Sequence, residues 1–497
     1  MASAALNTQA IALSETNLPR LPESVDLPSY DRATLRPGIV HIGLGNFHRA
    51  HQAWYIHRLM QEGLAKDWAI IGASVRQQDQ TMRDRLIAQD CLTTLIELSP
   101  KGRSAEIIGS MIDYLPIEKD HSALIAKMSD PDIRIVSLTI TEGGYFISAN
   151  KGGLDTDHPD IRHDIATPGS PRTVFGAIVA ALDKRRQSGV GPITVLSCDN
   201  LRGNGDITRS AVTGLAKRID PDLDNWISEQ CSFPNSMVDC IVPATGPSEL
   251  ALAHGFGIDD AAPVTHENYR QWVIEDDFCV GRPELEHVGV IITPDVEAYE
   301  AMKIRILNAG HQVLANVGEL LGLQTIADCM AHPVVSRFFH KIEQEEIAPY
   351  VSAVPGMTPP KYVQLVAQRF SNPAIQDTTR RVAFDGSSRH SEFLLPIIRD
   401  ALNAGGSIVG LALVEALWAR MCAGTRDDGT DIFENDPDWA RLTEVAQQSA
   451  QRPITWLEQS HIYGNLVEHP SFAPAFCSWI DRIWSEGSVA ALEAYLR

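Results

Sequence analysis

No stretch of the chain is apolar over the length needed to cross a bilayer. None of its eight cysteines forms a C-x-x-C pair. They stand singly at 91, 198, 231, 240, 279, 329, 422 and 477, which argues against a zinc ribbon or a dithiol redox motif. They read instead as reduced, mostly buried thiols of a cytoplasmic protein. Positive charge is also scarce, with 42 Lys+Arg against 63 Asp+Glu and a formal net charge of −21. Nucleic acid and anionic membranes need a basic face, so neither is expected as the main partner. Local basic pockets remain compatible with that balance. The stretch from Met1 to Pro37 lacks the basic start and apolar middle of a signal peptide and reads as a polar lead-in. Internal repeats and low-complexity tracts are missing too.

What remains is a globular composition, 44% hydrophobic over 497 residues, enough for two domains. The first half alternates strand-like and helix-like segments. Strands are predicted at 38–43, 68–75, 133–140 and 193–197, with a fifth at 239–243. Helical patterns such as 49–62 and 172–186 lie between them. That alternation predicts an α/β domain, a mostly parallel sheet covered by helices. From Val296 onward strand signals nearly vanish. Amphipathic patterns take over at 298–321, 334–348, 360–369, 392–404 and 408–423. The expected organisation is an α/β domain over 1–290 and a mostly α-helical domain over 291–497.

The first strand runs into Gly43-Leu-Gly45-Asn46-Phe47-His48. Gly43 suits a tight turn, and Gly45 removes a side chain where backbone would approach a pyrophosphate. The following helix aims its first amides at the anion. His48 occupies the third glycine position of G-x-G-x-x-G, and an ordinary strand-to-helix turn also uses glycine, so the motif alone is weak. The acid that ends the second strand in such folds is not immediately present. Arg76 can stack on adenine or meet a 2′-phosphate, and Asp79 can accept from the ribose. NAD is the preferred cofactor, with NADP left open.

A second motif is Tyr299-Glu300-Ala-Met-Lys303-Ile-Arg-Ile-Leu-Asn308-Ala-Gly-His311. On an α-helix Lys303 and His311 lie about 80° apart around the axis and about 12 Å apart along it, with Asn308 and His311 about 60° apart. They share a broad face that can bracket a small extended substrate. Gly310 within the helix costs about 1 kcal/mol relative to Ala and hints at close approach by another group. By spacing alone, a solvated helix face explains the same residues.

Taken with Ser197-Cys-Asp-Asn200-Leu, Phe233-Pro-Asn-Ser-Met-Val-Asp239, Ser137-Leu-Thr-Ile-Thr-Glu-Gly-Gly-Tyr145 and Arg270-Gln-Trp-Val-Ile-Glu-Asp-Asp-Phe278, these motifs resemble, in order, the long-chain mannitol (polyol) dehydrogenase family. The resemblance spans most of the chain from about residue 38. It implies a Rossmann-type domain followed by a helical one, a metal-independent NAD-dependent reaction on a small polyol or ketose, and a monomer. Lys303 matches the family's general base and Glu300 a carboxylate implicated in proton transfer. Asn308 and His311 match partners of the substrate hydroxyls. Asn200 matches an asparagine that polarises the reacting oxygen, and Asp239 and Arg381 match substrate contacts. Two departures stand out: Cys240 replaces an arginine, and Gly310 replaces a serine between Asn308 and His311.

A lysine base must be neutral, so its ordinary pKa of about 10.4 has to fall toward about 7–8. Burial favours this, and Arg305 adds to it if its charge points at the lysine. Catalytic zinc is the competing way to activate an alcohol. His41, His48, His51 and His57 lack the ligand spacing for it. Other readings are a hexuronate reductase of the same family, a nucleotide-binding sensor without catalysis, and a β-hydroxyacid dehydrogenase.

Overall fold

The computed structural model describes residues 10–148 and 153–497. It contains two compact units, Met1–Glu297 and Ala298–Arg497. Among the described residues no helix is long and apolar enough to cross a membrane.

The first unit is built on a five-stranded sheet whose strands all run parallel. Its spatial order is Met111–Tyr114, Ala69–Ala73, Pro37–Ile42, Ile135–Leu138, Thr194–Ser197. By chain position that is 3-2-1-4-5, the doubly wound Rossmann arrangement, with its reversal beside the first strand. The inner strands are mostly apolar because both faces are covered, with His41 and Ser137 as buried polar exceptions. Val40, Ile42, Ile71, Val136 and Leu138 point into one core with Leu124, Phe175, Ile178 and Val212. Their neighbours Ile39, Ile70 and Ile135 point into the other, with Tyr55, Ile56 and Leu59. The period of two along each strand divides the side chains between the cores.

Four predicted strands thus lie in this sheet, the first shifted by one residue to Pro37–Ile42 and the other three trimmed by a residue or more. The fifth is corrected: the strand is Ser236–Asp239 rather than 239–243, and it pairs antiparallel with Gln271–Ile274 in a separate three-stranded sheet. Pro243 has no amide hydrogen for a ladder, which disfavours strand beyond Asp239. A hairpin, Thr93–Ser99 with Gly102–Ile108, belongs to a further four-stranded sheet and was not predicted. The polar lead-in is also corrected where it is described; residues 1–9 lie outside. Ile11–Ala12 pairs with Ile258–Asp259, and Val25–Asp26 pairs with Ala105–Glu106. The buried Arg32 guanidinium donates to the carbonyls of Gly109, Asp90 and Met111. Among the described residues none of the eight cysteines forms a disulfide, and five of them are buried.

The second unit is helical around Val409–Cys422, which is buried along almost its whole length. A polar chain runs through this core. Asn316 Nδ2 donates to His390 Nε2 (2.9 Å), His390 Nδ1 meets Glu415 Oε1 (2.9 Å), and Tyr463 donates to Glu415 Oε2 (2.8 Å). Trp456 Nε1 donates in turn to the Tyr463 hydroxyl (2.6 Å). Three stretches of this unit are π-helical: Lys303–Asn308, Glu343–Ile347 and His390–Leu394. The first packs against both of the others. Such turns are rare and frequently mark functional sites.

Candidate active site

Ligands of doubly wound sheets bind at the carboxyl ends of the strands, where the order reverses. Here that position is the turn Gly43-Leu-Gly45. Gly43 has φ +99°, and a Cβ there would lie 2.1 Å from the Thr139 carbonyl oxygen. Glycine is therefore needed by the backbone angle and by the approach of the neighbouring loop. Gly45 differs: a Cβ on it would meet only the Gly43 carbonyl, at 4.0 Å, and otherwise open space. A backbone bare on its outer side at the start of a helix suits a pyrophosphate. The helix begins at Asn46. The Asn46 side chain is committed elsewhere, donating to the Pro243 carbonyl (3.0 Å) and Thr245 Oγ1 (2.9 Å) and accepting from Arg49 (2.7 Å). Phe47 stacks on His51 with ring centroids 4.8 Å apart.

His48 takes the place of the third glycine by packing flat on His41, with centroids 3.5 Å apart. His41 bonds Ser137 Oγ (2.8 Å) through Nδ1 and lies 3.0 Å from Thr139 Oγ1 through Nε2. Burial lowers the His41 imidazole to about 3 and holds His48 well below the usual histidine value. His51 faces the Gln271 carbonyl, and His57 faces Tyr30 and Glu106. His41, His51 and His57 thus bond to separate groups, while His48 is held by its stacking on His41. Among the described residues no three His, Cys, Asp or Glu are grouped to hold a metal ion.

After the second strand, Arg76 donates to Asp79 through Nε and Nη2, both at 3.2 Å. Ser74 donates to the same carboxylate. The two residues read as alternatives are a pair, in the 3-10 turn Gln77–Asp79 that follows the second strand.

The fourth and fifth strands carry the loops of Ser137–Tyr145 and Ser197–Asn200. The organiser is Asp199, which sequence reading passed over. Its carboxylate accepts from the amides of Ile140 and Thr141, both at 2.9 Å, and from the Tyr145 hydroxyl (2.7 Å). Thr141 is thereby held at φ +63°, a conformation that costs a non-glycine residue about 1–3 kcal/mol. Asn200 follows directly and is exposed. Asp239 ends its strand opposite Gln271 and is buried.

Val296–Met302, Lys303–Asn308 and Ala309–Leu320 follow without a break as one helix whose middle is a π turn, all but its first two residues in the second unit. The Ala309 amide donates to the Ile304 carbonyl five residues back. This corrects the angular reading of the motif. On an α-helix Lys303 and Asn308 would be about 140° apart; the wider π turn closes much of that angle and brings the fifth residue back toward the side of the first. Lys303 and Asn308 therefore share one face. Lys303 and Glu300 are both buried, and their i,i+3 spacing puts them on one face as well. Arg305 does not aim a free charge at the lysine. Its guanidinium donates to the Tyr350 carbonyl and to Asp400, both at 2.6 Å.

One turn on, the His311 ring stacks on Phe370 (4.3 Å), and burial lowers it to about 4. Asp377 Oδ2 lies 3.5 Å from His311 Nε2, and Arg381 Nε donates to Asp377 Oδ1 (2.9 Å). The hint of close approach at Gly310 is met by Glu343. A Cβ at Gly310 would stand 2.7 Å from Glu343 Oε1 and 3.0 Å from the Phe339 ring. Glu343 is fully buried, and neither carboxyl oxygen has a hydrogen-bond partner. Burial raises its pKa well above the usual carboxylate value. Folding therefore favours its protonated form. The associated stability is present below the unfolded pKa, near 4.5, and is lost as pH rises toward the folded value. Glu343→Gln, neutral at every pH, should raise the unfolding temperature by several degrees at about pH 8 and by much less at about pH 4. Thermal melts across pH check this; a uniform shift would show that ionisation plays no part.

Residues 37–287 match the mannitol dehydrogenase Rossmann domain, and residues 295–484 match the mannitol dehydrogenase C-terminal domain. A mannitol 2-dehydrogenase of Cereibacter sphaeroides is 52% identical over 476 residues, covering 96% of this chain and 100% of that protein. The mannitol 2-dehydrogenase of Pyricularia oryzae is 41% identical, covering 89% of each. Among solved structures, the Pseudomonas fluorescens mannitol 2-dehydrogenase in a ternary complex with NAD and D-mannitol superposes with a TM-score of 0.86 at 40% identity, covering 98% of this chain and 99% of that one. A substrate-free D-sorbitol dehydrogenase superposes with a TM-score of 0.90 at 35% identity, covering 97% and 100%. With both halves matched in order, this chain belongs to the mannitol dehydrogenase family.

Proposed function

We propose that this protein is a polyol dehydrogenase, a monomer that interconverts a sugar alcohol such as mannitol with its ketose, using NAD, a lysine base and no metal. The observation that carries the reading is the π turn that brings Lys303 and Asn308 to one face. It supports a base and a hydrogen-bond donor meeting the same substrate oxygen.

Gly43, Gly45 and the first amides of the helix at Asn46 and Phe47 would hold the pyrophosphate, with Asp79 and Arg76 at the adenosine ribose. When bound, the cofactor would supply the hydride acceptor for oxidation of the carbinol carbon. The protein's own work is proton traffic and geometry. Lys303, neutral, takes the hydroxyl proton and passes it to Glu300, which acts as the relay. Asn308 and Asn200 donate to the oxygen as negative charge develops on it. His311, Asp239 and Arg381 orient the remaining hydroxyls.

One observation favours a second reading. The charges of Arg369, Arg381 and Arg389 all bear on His311. Guanidinium groups recognise carboxylates, so a keto-uronate reductase would use them. Formation and loss of reduced nicotinamide across a panel of hexitols, pentitols, ketoses and keto-uronates separates the two. Turnover of a polyol with NAD is expected; turnover of keto-uronates alone moves the substrate class to the second reading.

A further inference from the structure

Asp377 is buried and stands between two groups assigned above to the substrate. One oxygen, Oδ1, accepts from Arg381 through both Nε and Nη2. The other, Oδ2, has no hydrogen-bond partner and lies 3.5 Å from His311 Nε2, which also has none. The backbone around it is fixed. Its carbonyl accepts from the Ile326 amide (2.9 Å), and the next residue, Thr378, caps the short helix that carries Arg381. The His311 ring is pinned from the side by Phe370. The backbone of Asp377 is thus held independently of His311, and its side chain is tied to Arg381.

We propose that Asp377 is a positioning residue that selects the Nε2–H tautomer of His311 and aims Arg381, so that His311 presents Nδ1 to a substrate hydroxyl as an acceptor. The reasoning is chemical. An ionised carboxylate can only accept, so the imidazole nitrogen facing it carries the proton. A neutral ring has one N–H, and its placement on Nε2 leaves the Nδ1 lone pair for a donor. A substrate hydroxyl is such a donor, and the tautomer would then favour ligands that present a hydroxyl rather than a bare carbonyl at this position. Without Asp377 the ring would be a mixture of tautomers, and Arg381 would lose its anchor. The same logic governs carboxylate–histidine pairs behind metal ions, where loss of the carboxylate costs about 10–100-fold.

This inference rests on the polyol reading, but its test is separable from it. Asp377→Asn is close to isosteric and should fold; Asp377→Glu keeps the charge one methylene further out. In the protein without substrate or cofactor, nitrogen NMR of the His311 ring should show Nε2–H in the wild type and a mixture in Asp377→Asn. With a substrate found for the wild type, Asp377→Asn should raise its KM about tenfold or more while the KM for NAD and the unfolding temperature stay close to wild type. Asp377→Glu should recover part of the loss. In a double-mutant cycle, Asp377→Asn should add little once His311 is alanine. An unchanged tautomer in Asp377→Asn, additive losses in the cycle, or substrate and cofactor KM values that rise together with a fall in stability would each overturn the proposal. Failure of the wild type on every polyol would instead strike the functional reading, and the tautomer would still report on Asp377.

Discussion

Lys303→Ala is expected to lower kcat for polyol oxidation by at least about a thousandfold, within the range for losing a general base. The KM for NAD should barely move, because the Gly43–Gly45 turn belongs to the other unit. A lysine that only packs would leave kcat near wild type and lower stability instead. Small primary amines added to Lys303→Ala should restore part of the rate, better for amines whose pKa is near the working pH; a lysine needed only for shape would not be replaced this way. Asn308→Ala should lower kcat by less, since it removes one donor to the developing charge, a change that typically costs about 2.7–4 kcal/mol.

The second large effect is expected at the phosphate turn, from a pair of substitutions that look alike on paper. Gly43→Ala places a methyl group 2.1 Å from the Thr139 carbonyl oxygen and 2.7 Å from its carbon, both backbone atoms. The positive φ alone costs an alanine about 1–2 kcal/mol. Thr139 also donates from Oγ1 to the Gly43 carbonyl (2.6 Å), so its displacement disturbs His41 and Ser137 behind it. Gly43→Ala should therefore lower the unfolding temperature and weaken NAD binding at least about a hundredfold. Gly45→Ala meets open space in the free protein and should leave the unfolding temperature unchanged. It should nonetheless weaken NAD binding, because the space it fills is the one assigned to pyrophosphate. Melts and equilibrium titration with NAD distinguish the pair. Normal NAD affinity in Gly45→Ala would remove this turn from the cofactor site.

The legible features were those carried by local pattern. The first four strands stand out because buried parallel strands are continuous apolar runs, and the turn stands out because only glycine suits its geometry. The hairpin of Thr93–Ser99 and Gly102–Ile108 was missed because its second strand opens with three exposed residues, Gly102, Arg103 and Ser104, and has no apolar face there to show. The π turn was illegible for another reason. It is a change in hydrogen-bond partner, from i−4 to i−5, within a sequence that is equally good α-helix, and its apolar period gives no sign of the added residue. Lys303, Asn308 and His311 were therefore read as one motif but given α-helical angles. Asp199 and Glu343 escaped because what singles them out is tertiary: two loop amides converging on one carboxylate, and a carboxyl packed against Gly310 from another helix. Arg305 could be placed near the lysine by spacing, but not the Asp400 that occupies it.

The most direct measurement is the rate of mannitol oxidation by NAD for chelator-treated wild type and Lys303→Ala, side by side. A lysine base without a metal predicts full activity in the treated wild type and almost none in the variant. Loss of wild-type activity on chelation with recovery on adding back a divalent metal, or an active Lys303→Ala, would contradict it.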